Sequence, residues 1–568
     1  MRNIMQNSPQ NHLEKLAKAA FVIAITASGI SCSNGATAKA ADPKSETVKA
    51  TPSPAAMACS ALANQNFELG ADAPIRVVSA EYIENAEVDP QEAKFFLKRS
   101  QSQGAPMGLI THLPDHCRVE GYVAPAVGFL MYLPAPEKWN DKVIVSACDA
   151  FCGATEDNMP IPGLVRDYAA ITTDGGHRGK RPFDGTWAYN NMQGKIDFGY
   201  RAVHLTLQTG ETLAKAYYGS DSKYAYLTGF SKGGTAGIKS ALVYPNDFDG
   251  ILSRAPVVEY QTVNTIRLPW IHTSNLDESG NPILNSSHMA FIHKAVTDAC
   301  DDIDGIVDGV IDDPRLCTFD TTSLICESGV TDTSTCLSAT EADALDKFYA
   351  APKNADGSIA YPFGMDYGSE MKWAPFNVPM KGSDFTFSLM GGNQYLKYMA
   401  FNKDSKTHGG PGYDWLKFDY ATDADLLEDM KYIMDADDPD LSKFKASGNK
   451  LIVTHGWADP AISASMSVRW YKNVLKTVGN TDDYLRLFLM PGVAHGSGGP
   501  GPDIYDALSA LENWVEKGEA PDQLIMSEDV DGKITRTRPV YPYPLKAKYK
   551  GTGSTDEAEN FGPLDSYK

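Results

Sequence analysis

Apolar runs of strand length alternate with helix-like stretches over the first folded part of the chain. Residues 142–147 and 168–174 are short apolar runs, and residues 202–218 show helical spacing up to Gly219. Strands that alternate with helices predict a parallel sheet covered by helices on both faces. In such an α/β sheet the active site lies at the carboxyl ends of the strands.

The alternation stops near residue 257 and returns near residue 450. Residues 257–449 are rich in Asp, Asn, Gly, Pro and aromatic residues, which predicts an inserted domain. Residues 450–455 and 484–490 are again strand-like, and the polar, proline-rich C-terminal end is expected to wrap the surface. We therefore predict an α/β core in two parts, 59–256 and 450–568, interrupted by the insertion.

One strand-like run leads directly into a serine turn. Residues 224–230 are aromatic and aliphatic, and they run into Gly-Phe-Ser-Lys-Gly at 229–233. Glycines on both sides of Ser231 allow the sharp strand–turn–helix connection that exposes the serine of a G-x-S-x-G motif at a sheet edge. The pentapeptide alone is weak evidence, because a chain of this length can contain it by chance.

Two residues of the second core part are predicted to complete a catalytic triad with Ser231. A serine nucleophile needs a base that takes its proton and an acid that orients the base. In α/β-hydrolases these follow the serine in the order acid, then histidine. Asp459 follows the strand at 450–455, and His495 lies in the glycine-rich loop after the strand at 484–490.

Each of these assignments has an alternative. Asp459 could cap a helix, and His455 could replace His495 as the base, although His455 precedes the acid in the chain. His177, at the end of another strand, could be a structural or substrate-contacting residue. The ordered set of three residues would nevertheless arise by chance far more rarely than any one of them.

Backbone N–H groups are expected to stabilise the oxyanion of the reaction. Lys232, directly after the nucleophile, would supply one, and the loop 147–153 would supply the other from Ala150 or a neighbour. Cys148 and Cys152 flank Ala150. They either form a disulfide that stiffens the loop or remain two buried thiols.

Six aspartates lie between residues 300 and 313. Carboxylates this dense repel one another unless they are solvated or bind a cation, and oxygen ligands with glycine turns suit Ca²⁺. The spacing differs from that of an EF-hand loop. The chemistry alone therefore leaves two interpretations open, a Ca²⁺ site and a solvated acidic loop.

The formal charge of −21 restricts the partners of the protein. The chain has 72 acidic and 51 basic side chains, which argues against nucleic acid and anionic membranes because both require a basic face. Its 43% hydrophobic and 22% charged residues are typical of a globular protein. Nothing in the pattern specifies an oligomeric state.

The N-terminal residues are typical of an export signal. An apolar run at 19–27 follows two lysines and is too short to span a bilayer. Cleavage would occur either at a lipoprotein-like box ending at Cys32 or at the small residues 38–40. We predict a signal peptide at 1–32, a flexible tether at 33–58, and membrane attachment only through a lipid on Cys32.

The cysteine count agrees with export to the periplasm, the outer membrane or the medium. Nine cysteines are present, and eight remain without Cys32. An even number of cysteines in an exported protein indicates disulfides. No cysteine and histidine cluster has zinc-ligand spacing.

From about Cys59 to Phe561 the chain resembles the tannase and feruloyl esterase family of α/β-hydrolases. Besides the serine turn and the acidic loop, the resemblance rests on residues 197–204, 217–219, 244–251, 455–459, 491–495 and 543–544. It implies an α/β-hydrolase with a mostly parallel central sheet. It also implies that residues 257–449 form a lid domain that makes most substrate contacts.

The resemblance assigns roles to individual residues. It implies that the nucleophile, acid and base are Ser231, Asp459 and His495. It implies a structural Ca²⁺ in the lid, held by the side chains of Asp301, Asp304 and Asp308 and the backbone oxygens of Ile306 and Val310. It also implies the disulfides Cys59–Cys117, Cys300–Cys317 and Cys326–Cys336.

Two positions depart from the family pattern. Members of the family have a cysteine before the serine and another after the histidine, and their disulfide ties nucleophile to base. Here these positions are Phe230 and Gly496. Because both cysteines are missing together, the triad is expected to be held by packing alone.

We therefore predict an exported serine carboxylic-ester hydrolase that acts through an acyl-enzyme. Its expected substrates are feruloyl, galloyl or related phenolic esters, either small or linked to a plant polymer. The alternatives are a non-catalytic surface binding protein on the same fold and an esterase for terephthalate-type or other esters. Lid residues that could contact the substrate, or belong to the lid core or surface, are Trp373, Phe376, Lys397, Tyr398 and Phe401.

Overall fold

A ten-stranded sheet forms the centre of the computed structural model, which describes residues 52–69, 73–180, 182–330, 334–354, 356–402 and 407–565. The predicted signal peptide and Cys32 lie outside these residues. The strands of the sheet are β1 (Phe67–Glu68), β2 (Pro74–Ile83), β3 (His116–Val123), β4 (Val127–Pro134), β5 (Lys142–Ala147), β6 (Ala169–Thr173), β7 (Tyr224–Phe230), β8 (Gly250–Arg254), β9 (Lys450–Gly456) and β10 (Leu485–Met490). Their order across the sheet is β1-β2-β3-β4-β6-β5-β7-β8-β9-β10.

Strands β5 to β10 are parallel, as the sequence predicts, whereas β1 to β4 pair antiparallel. The prediction of alternating strands and helices from Cys59 onwards is therefore wrong for the first four strands. The connection between β3 and β4 is only three residues long, and a connection this short can join only antiparallel neighbours. The sheet is mostly parallel and has an antiparallel edge.

Apolar side chains cover both faces of the parallel strands. One face contributes to the larger apolar cluster through Val143, Val145, Leu227, Ile251, Leu451, Val453 and Leu487. The alternate residues belong to a second cluster and include Ile144, Tyr226, Leu252, Ile452 and Phe488. Burial on both faces explains why these strands are continuous apolar runs in the sequence rather than alternating patterns.

Helices surround the sheet and build the insertion. The α-helices are α1 (Pro54–Leu62), α2 (Pro90–Ser102), α3 (Ile161–Leu164), α4 (Met192–Ile196), α5 (Ala202–Tyr218), α6 (Lys232–Val243), α7 (Tyr260–Thr262), α8 (Leu268–Ser274), α9 (Met289–Cys300), α10 (Ala339–Tyr349), α11 (Phe387–Gln394), α12 (Tyr420–Asp423), α13 (Glu428–Met434), α14 (Ser442–Ala446), α15 (Ala464–Val478) and α16 (Ala507–Lys517). Three π-helical segments continue α4, α7 and α11: Asp197–Arg201, Val263–Arg267 and Tyr395–Met399.

The insertion enters the core between β8 and β9. We call residues 257–449 the lid. Part of the lid has an apolar cluster of its own, which includes Ile271, Leu284, Ile292, Val296, Leu345, Phe348 and Trp373. The lid therefore begins after the carboxyl end of β8 and ends before the amino end of β9.

Four disulfides are present in the described residues. They are the three pairs that the resemblance implies, Cys59–Cys117, Cys300–Cys317 and Cys326–Cys336, and the pair that the sequence left open, Cys148–Cys152. Two of them lie in the lid. All eight of the cysteines that follow Cys32 are therefore paired.

The C-terminal end contains regular structure that the sequence did not predict. It forms two antiparallel pairs, β11 (Leu524–Val530) with β12 (Lys533–Val540), and β13 (Leu545–Tyr549) with β14 (Phe561–Asp565). Polar residues interrupt the apolar ones in these strands, so the sequence lacks a long apolar run there. Among the residues that the structure describes, no helix is both long and apolar enough to cross a membrane.

Candidate active site

Ser231 forms the turn between β7 and α6. Its backbone has φ +56° and ψ −117°, a conformation that residues with a side chain rarely adopt. A Cβ on Gly229 would lie 2.1 Å from the carbonyl oxygen of Gly233, and a Cβ on Gly233 would lie 2.9 Å from that of Ala147. Only glycine fits at these two positions, so the G-x-S-x-G pattern forms the sharp strand–turn–helix connection that the sequence predicts.

Asp459 and His495 form a close pair at the same edge of the sheet. The Nδ1–H of His495 donates to Oδ2 of Asp459 at 2.6 Å, which leaves Nε2 of His495 free to accept a proton. The backbone N–H groups of Ala461 and Ile462 donate to the other oxygen, Oδ1, at 2.7 and 3.0 Å. Asp459 is fully buried, and Ser231 and His495 line one cavity.

The environment of Asp459 keeps this carboxyl group charged. Burial alone would raise its pKa, but the charge of His495 and the hydrogen bonds from His455 and His495 outweigh that effect and lower the pKa. A charged acid holds one tautomer of His495 and stabilises the imidazolium form of its ring.

His455 lies behind the acid rather than in the cavity. It is fully buried, and its Nε2 is 3.2 Å from the carbonyl oxygen of Ile462 and 3.3 Å from Oδ2 of Asp459. Its Nδ1 accepts from the hydroxyl of Ser467 at 2.8 Å. This placement suits a residue that holds the acid loop and does not suit the alternative in which His455 is the base.

Two lid residues also hold the acid loop, and sequence reasoning missed both. The buried guanidinium of Arg267 donates to the carbonyl oxygen of Ala461, and the amide of Asn377 donates to that of Pro460 at 2.7 Å. The lid therefore holds the loop that contains Asp459. No motif marks either residue, because their contacts are set by tertiary packing alone.

The loop 147–153 approaches the serine from β5. Ala150 and Cys152 have φ of +51° and +54°, and the Cys148–Cys152 disulfide closes the loop. Ala150 and Lys232 both line the cavity, and their backbone N–H groups donate no hydrogen bond within the described part of the chain. Two unengaged N–H groups beside the serine are suited to an oxyanion.

His177 supports this loop. Its imidazole stacks on Trp187 with ring centroids 3.6 Å apart, and its Nε2–H donates to the carbonyl oxygen of Phe151 at 2.8 Å. Burial lowers the pKa of His177 to about 4, so the ring is neutral at physiological pH. Of the two roles considered for His177, the structure supports the structural one.

The cavity beside Ser231 has a volume of about 230 Å³. Six aromatic side chains line it: Phe151, Phe183, Phe230, Tyr260, Phe376 and Phe387. Asp149 and Asn264 are the acidic and amide side chains in its wall. The site can therefore accept a flat apolar group that carries a few polar substituents.

Only one of the lid residues proposed as substrate contacts lines this cavity. Phe376 does so, whereas Trp373 is fully buried in the lid cluster. Lys397, Tyr398 and Phe401 are absent from the cavity wall. The lid sequence has no periodic pattern that distinguishes aromatic residues of the lid core from aromatic residues that line the cavity.

Lys232 is a buried lysine directly after the nucleophile. Its Nζ lies over the rings of Phe198 and Tyr260, 4.5 and 5.8 Å from their centroids. In the described part of the chain, no carboxylate or carbonyl oxygen accepts from this Nζ. Burial, with a further contribution from the charge of Lys239, lowers the pKa of Lys232 to about 7.

The aspartates of the acidic loop form hydrogen bonds and an ion pair with other groups of the protein. Asp301 accepts from the backbone N–H groups of Asp308, Gly309 and Val310, and Asp308 contacts the guanidinium of Arg538 at 2.6 Å. Within the described residues, no three acidic, histidine or cysteine side chains converge closely enough to hold a metal ion.

The fold and the site define the class of the protein. A mostly parallel sheet, a serine at a strained elbow, and an acid–histidine pair at the same edge are the features of an α/β-hydrolase.

The chain belongs to the tannase and feruloyl esterase family, whose sequence profile, described as "Tannase and feruloyl esterase", matches residues 111–563. It is 30% identical over 521 residues to an uncharacterized esterase of Xanthomonas campestris pv. campestris, covering 81% of this chain and 87% of that one. It is 28% identical over 523 residues to the mono(2-hydroxyethyl) terephthalate hydrolase of Piscinibacter sakaiensis, covering 79% and 85%.

A solved structure shares the fold. The feruloyl esterase B of Aspergillus oryzae superimposes with a TM-score of 0.75 at 23% identity, covering 90% of this chain and 100% of that one. This similarity confirms the predicted α/β-hydrolase fold. The family match likewise confirms the predicted resemblance.

Removal of the disulfide beside Ala150 should slow catalysis. In the Cys148→Ala/Cys152→Ala variant the loop loses the bond that holds Ala150 at positive φ. We expect kcat to fall about 10-fold, less than the 100-fold or more caused by loss of an oxyanion donor. Steady-state kinetics on a p-nitrophenyl ester measure this effect.

The Cys326→Ala/Cys336→Ala variant is the matched control, because it removes a short-range disulfide far along the chain in the lid. We expect that variant to lose thermal stability and to keep its kcat. An unchanged kcat in the Cys148→Ala/Cys152→Ala variant would contradict a role of the disulfide in the reaction.

Replacement of Lys232 by methionine should stabilise the protein. A buried amine without an acceptor costs about 1–3 kcal/mol, and methionine keeps the apolar stem. Below pH 7 both folded and unfolded states are protonated, so the gain is largest there. Between pH 7 and about 10.5 only the unfolded chain binds the proton, so wild-type stability rises and the gain shrinks.

Urea unfolding from pH 6 to pH 10 measures this gain. Lys239→Met is the matched control, because Lys239 lies on the same helix and donates to the carbonyl oxygens of Tyr432 and Asp435. That substitution leaves buried acceptors unpaired and should destabilise the protein. A destabilised Lys232→Met variant at pH 6 would show that the amine has an acceptor.

Proposed function

We propose that this protein is an exported serine esterase that hydrolyses esters of phenolic or related aromatic acids through an acyl-enzyme. One observation carries the proposal. Ser231 opens into an aromatic cavity whose wall also contains His495, and His495 is hydrogen-bonded to the buried Asp459. A nucleophile, an oriented base and a pocket for a flat acyl group thus meet in one place.

The first half of the reaction transfers the acyl group to the protein. His495 Nε2 takes the hydroxyl proton of Ser231 while Oγ attacks the ester carbonyl. The N–H groups of Lys232 and Ala150 donate to the oxyanion of the tetrahedral intermediate. When the intermediate collapses, the ester C–O bond breaks, His495 returns the proton to the alcohol, and the acyl group stays on Oγ.

The second half releases the acid. Water enters in place of the alcohol, His495 removes one of its protons, and the resulting hydroxide attacks the acyl carbonyl. Collapse of the second tetrahedral intermediate breaks the bond to Oγ and returns the proton from His495 to Ser231. Asp459 stays charged throughout and holds the imidazolium in both steps.

The cavity wall supports an aromatic acyl group. Aromatic rings pack favourably edge to face and offset-stacked, and Phe151, Phe183 and Phe387 offer such contacts. The polar groups of Asp149 and Asn264 suit a phenolic hydroxyl. A terephthalate-type ester is the second candidate, because a relative that is 28% identical is a terephthalate monoester hydrolase.

The disulfides support export. Four disulfides in one chain are typical of an oxidising compartment outside the cytosol. Together with the N-terminal sequence pattern, they favour the periplasm, the outer membrane or the medium as the location. Attachment through a lipid on Cys32 is part of this proposal.

Ca²⁺ binding by the acidic loop is also a proposal. The ligands would be the side chains of Asp301, Asp304 and Asp308 with the backbone oxygens of Ile306 and Val310, and three of these residues, Asp304, Asp308 and Val310, line a small cavity of about 20 Å³ together with Arg538. Carboxylate oxygens are the ligands that Ca²⁺ prefers, and Ca²⁺ would need Asp308 to exchange Arg538 for the ion. The ion would stabilise the lid and would take no part in the reaction.

Substitution of the triad should abolish ester hydrolysis. We expect Ser231→Ala and His495→Gln each to lower kcat by about 10,000-fold or more, because each removes a group that the other needs. The loss is measured as the rate of hydrolysis of ferulate, gallate and terephthalate esters. The kcat/KM values of the wild-type protein on these esters rank the three acids as substrates. We expect the phenolic esters to rank first.

His204→Gln is the matched control. His204 pairs with Asp247 at 2.7 Å, the same kind of contact as in the triad, but it lies outside the cavity wall. We expect that variant to keep its activity. Activity retained in folded Ser231→Ala protein would contradict the proposed function.

Removal of Ca²⁺ should lower the thermal stability. If the loop binds the ion, a chelator should reduce Tm by several degrees and added Ca²⁺ should restore it, because a ligand of the folded state stabilises it. Asp304→Asn should lose this response. Asp298→Asn, an exposed neighbour, should keep it. Equal Tm values with Ca²⁺ and with chelator would contradict the proposal.

A further inference from the structure

Phe230, the residue before the nucleophile, packs against the imidazole of His495. Their ring centroids are 4.5 Å apart and the planes are inclined by 51°. Phe230 is the last residue of β7, so its backbone is continuous with the elbow. One side chain therefore connects the segment that carries the nucleophile with the ring of the base.

The Phe230 ring fills the space beside Gly496. A Cβ on Gly496 would lie 2.4 Å from Cε2 of Phe230 and 3.1 Å from its Cζ. Gly496 also has φ +79°, which favours glycine. The large ring of Phe230 thus occupies the space that a side chain at position 496 would need, and Gly496 leaves that space open.

Arg254 also contacts the Phe230 ring. Its guanidinium carbon is 5.5 Å from the ring centroid, and the two residues pair across β7 and β8. Arg254 is buried, and its guanidinium donates to the hydroxyl of Tyr505. The carbonyl oxygen of Arg254 accepts from the N–H of Ser231 at 2.9 Å. Phe230 is therefore packed against a residue of the neighbouring strand as well as against the imidazole.

A second ring contacts His495 from the lid. The centroid of Phe376 is 6.2 Å from that of His495, at an angle of 61°. The hydrogen bond to Asp459 fixes Nδ1 but leaves the ring free to swing about that contact. Packing by the two phenylalanines opposes that swing, and Phe230 is the closer of the two.

We propose that Phe230 is a positioning residue, whose ring packs against both His495 and Arg254 and holds the imidazole in the orientation that serves Ser231. The inference rests on the proposed function, because it assigns His495 as the base. In this chain, packing of one ring does the work of linking the nucleophile segment to the base loop. Misplacement of a catalytic group by about 1 Å can cost about 100-fold in rate.

A competing explanation is that Phe230 only forms the wall of the acyl pocket, since it also lines the cavity. The two explanations predict different kinetics. A wall residue acts through binding of the acyl group, so its loss raises KM for an aromatic ester. A positioning residue acts on both chemical steps whatever the acyl group, so its loss lowers kcat even for an acetyl ester.

The test compares Phe230→Ala, Phe230→Leu and Phe183→Ala on p-nitrophenyl acetate and on a p-nitrophenyl aromatic ester. We expect Phe230→Ala to lower kcat about 10- to 100-fold on both esters with little change in KM. Phe230→Leu, which restores most of the volume, should recover most of that loss. Phe183→Ala removes a cavity ring that does not contact His495, and it should act mainly by raising KM of the aromatic ester.

A second measurement uses Gly496→Ala, which forces a methyl group into the Phe230 ring. We expect this variant to have a lower kcat than the wild type. In the double variant Gly496→Ala/Phe230→Leu, the fold-decrease in kcat should be smaller than the product of the fold-decreases in the two single variants. The pair also tests the contact if Phe230→Ala does not fold.

Two results would overturn the proposal. One is a Phe230→Ala variant that changes KM of the aromatic ester and leaves kcat on p-nitrophenyl acetate unchanged. The other is independent, multiplicative losses at Phe230 and Gly496. Neither result affects the proposed function, which fails only if Ser231→Ala or His495→Gln protein remains active.

Discussion

The buried charge of Asp459 is the constraint on which the rest of the site depends. A carboxylate without contact with water is stable only if protein groups satisfy it. Here two backbone N–H groups and His455 satisfy it, and the remaining contact is the hydrogen bond to His495. The loop that follows β9 must therefore keep the conformation that satisfies this charge. Arg267 holds the same loop from the lid, so the packing of the lid against β9 depends on it as well.

The parallel core could be predicted from the sequence because burial on both faces leaves continuous apolar runs at β5, β7, β9 and β10. The positions of Ser231, Asp459 and His495 follow from those runs, since each residue lies in the turn or loop that follows one. In the antiparallel part, β4 is also a buried apolar run, but such a run does not specify the direction of strand pairing. The antiparallel edge and the C-terminal pairs were therefore not predicted. The cavity residues Phe183 and Phe387 lie in a loop and at the start of a lid helix. The sequence has no periodic pattern there that distinguishes aromatic residues of the cavity wall from those of the core.

The site contains several features that cost stability. Ser231 and Ala150 have positive φ, and Lys232 is a buried amine in the first turn of α6. The surrounding sheet, the Cys148–Cys152 disulfide and the packing of Phe230 hold these features in place. Strain of this kind is typical of sites whose geometry is set before the substrate binds.

The central claim is that Ser231 is a nucleophile activated by His495. A fluorophosphonate reacts with an activated serine, so peptide mass mapping after labelling tests this claim directly. The account predicts one adduct, on the peptide that contains Ser231, and a loss of labelling when His495 is replaced by glutamine. An adduct on another residue, or a folded wild-type protein that remains unlabelled, would contradict it.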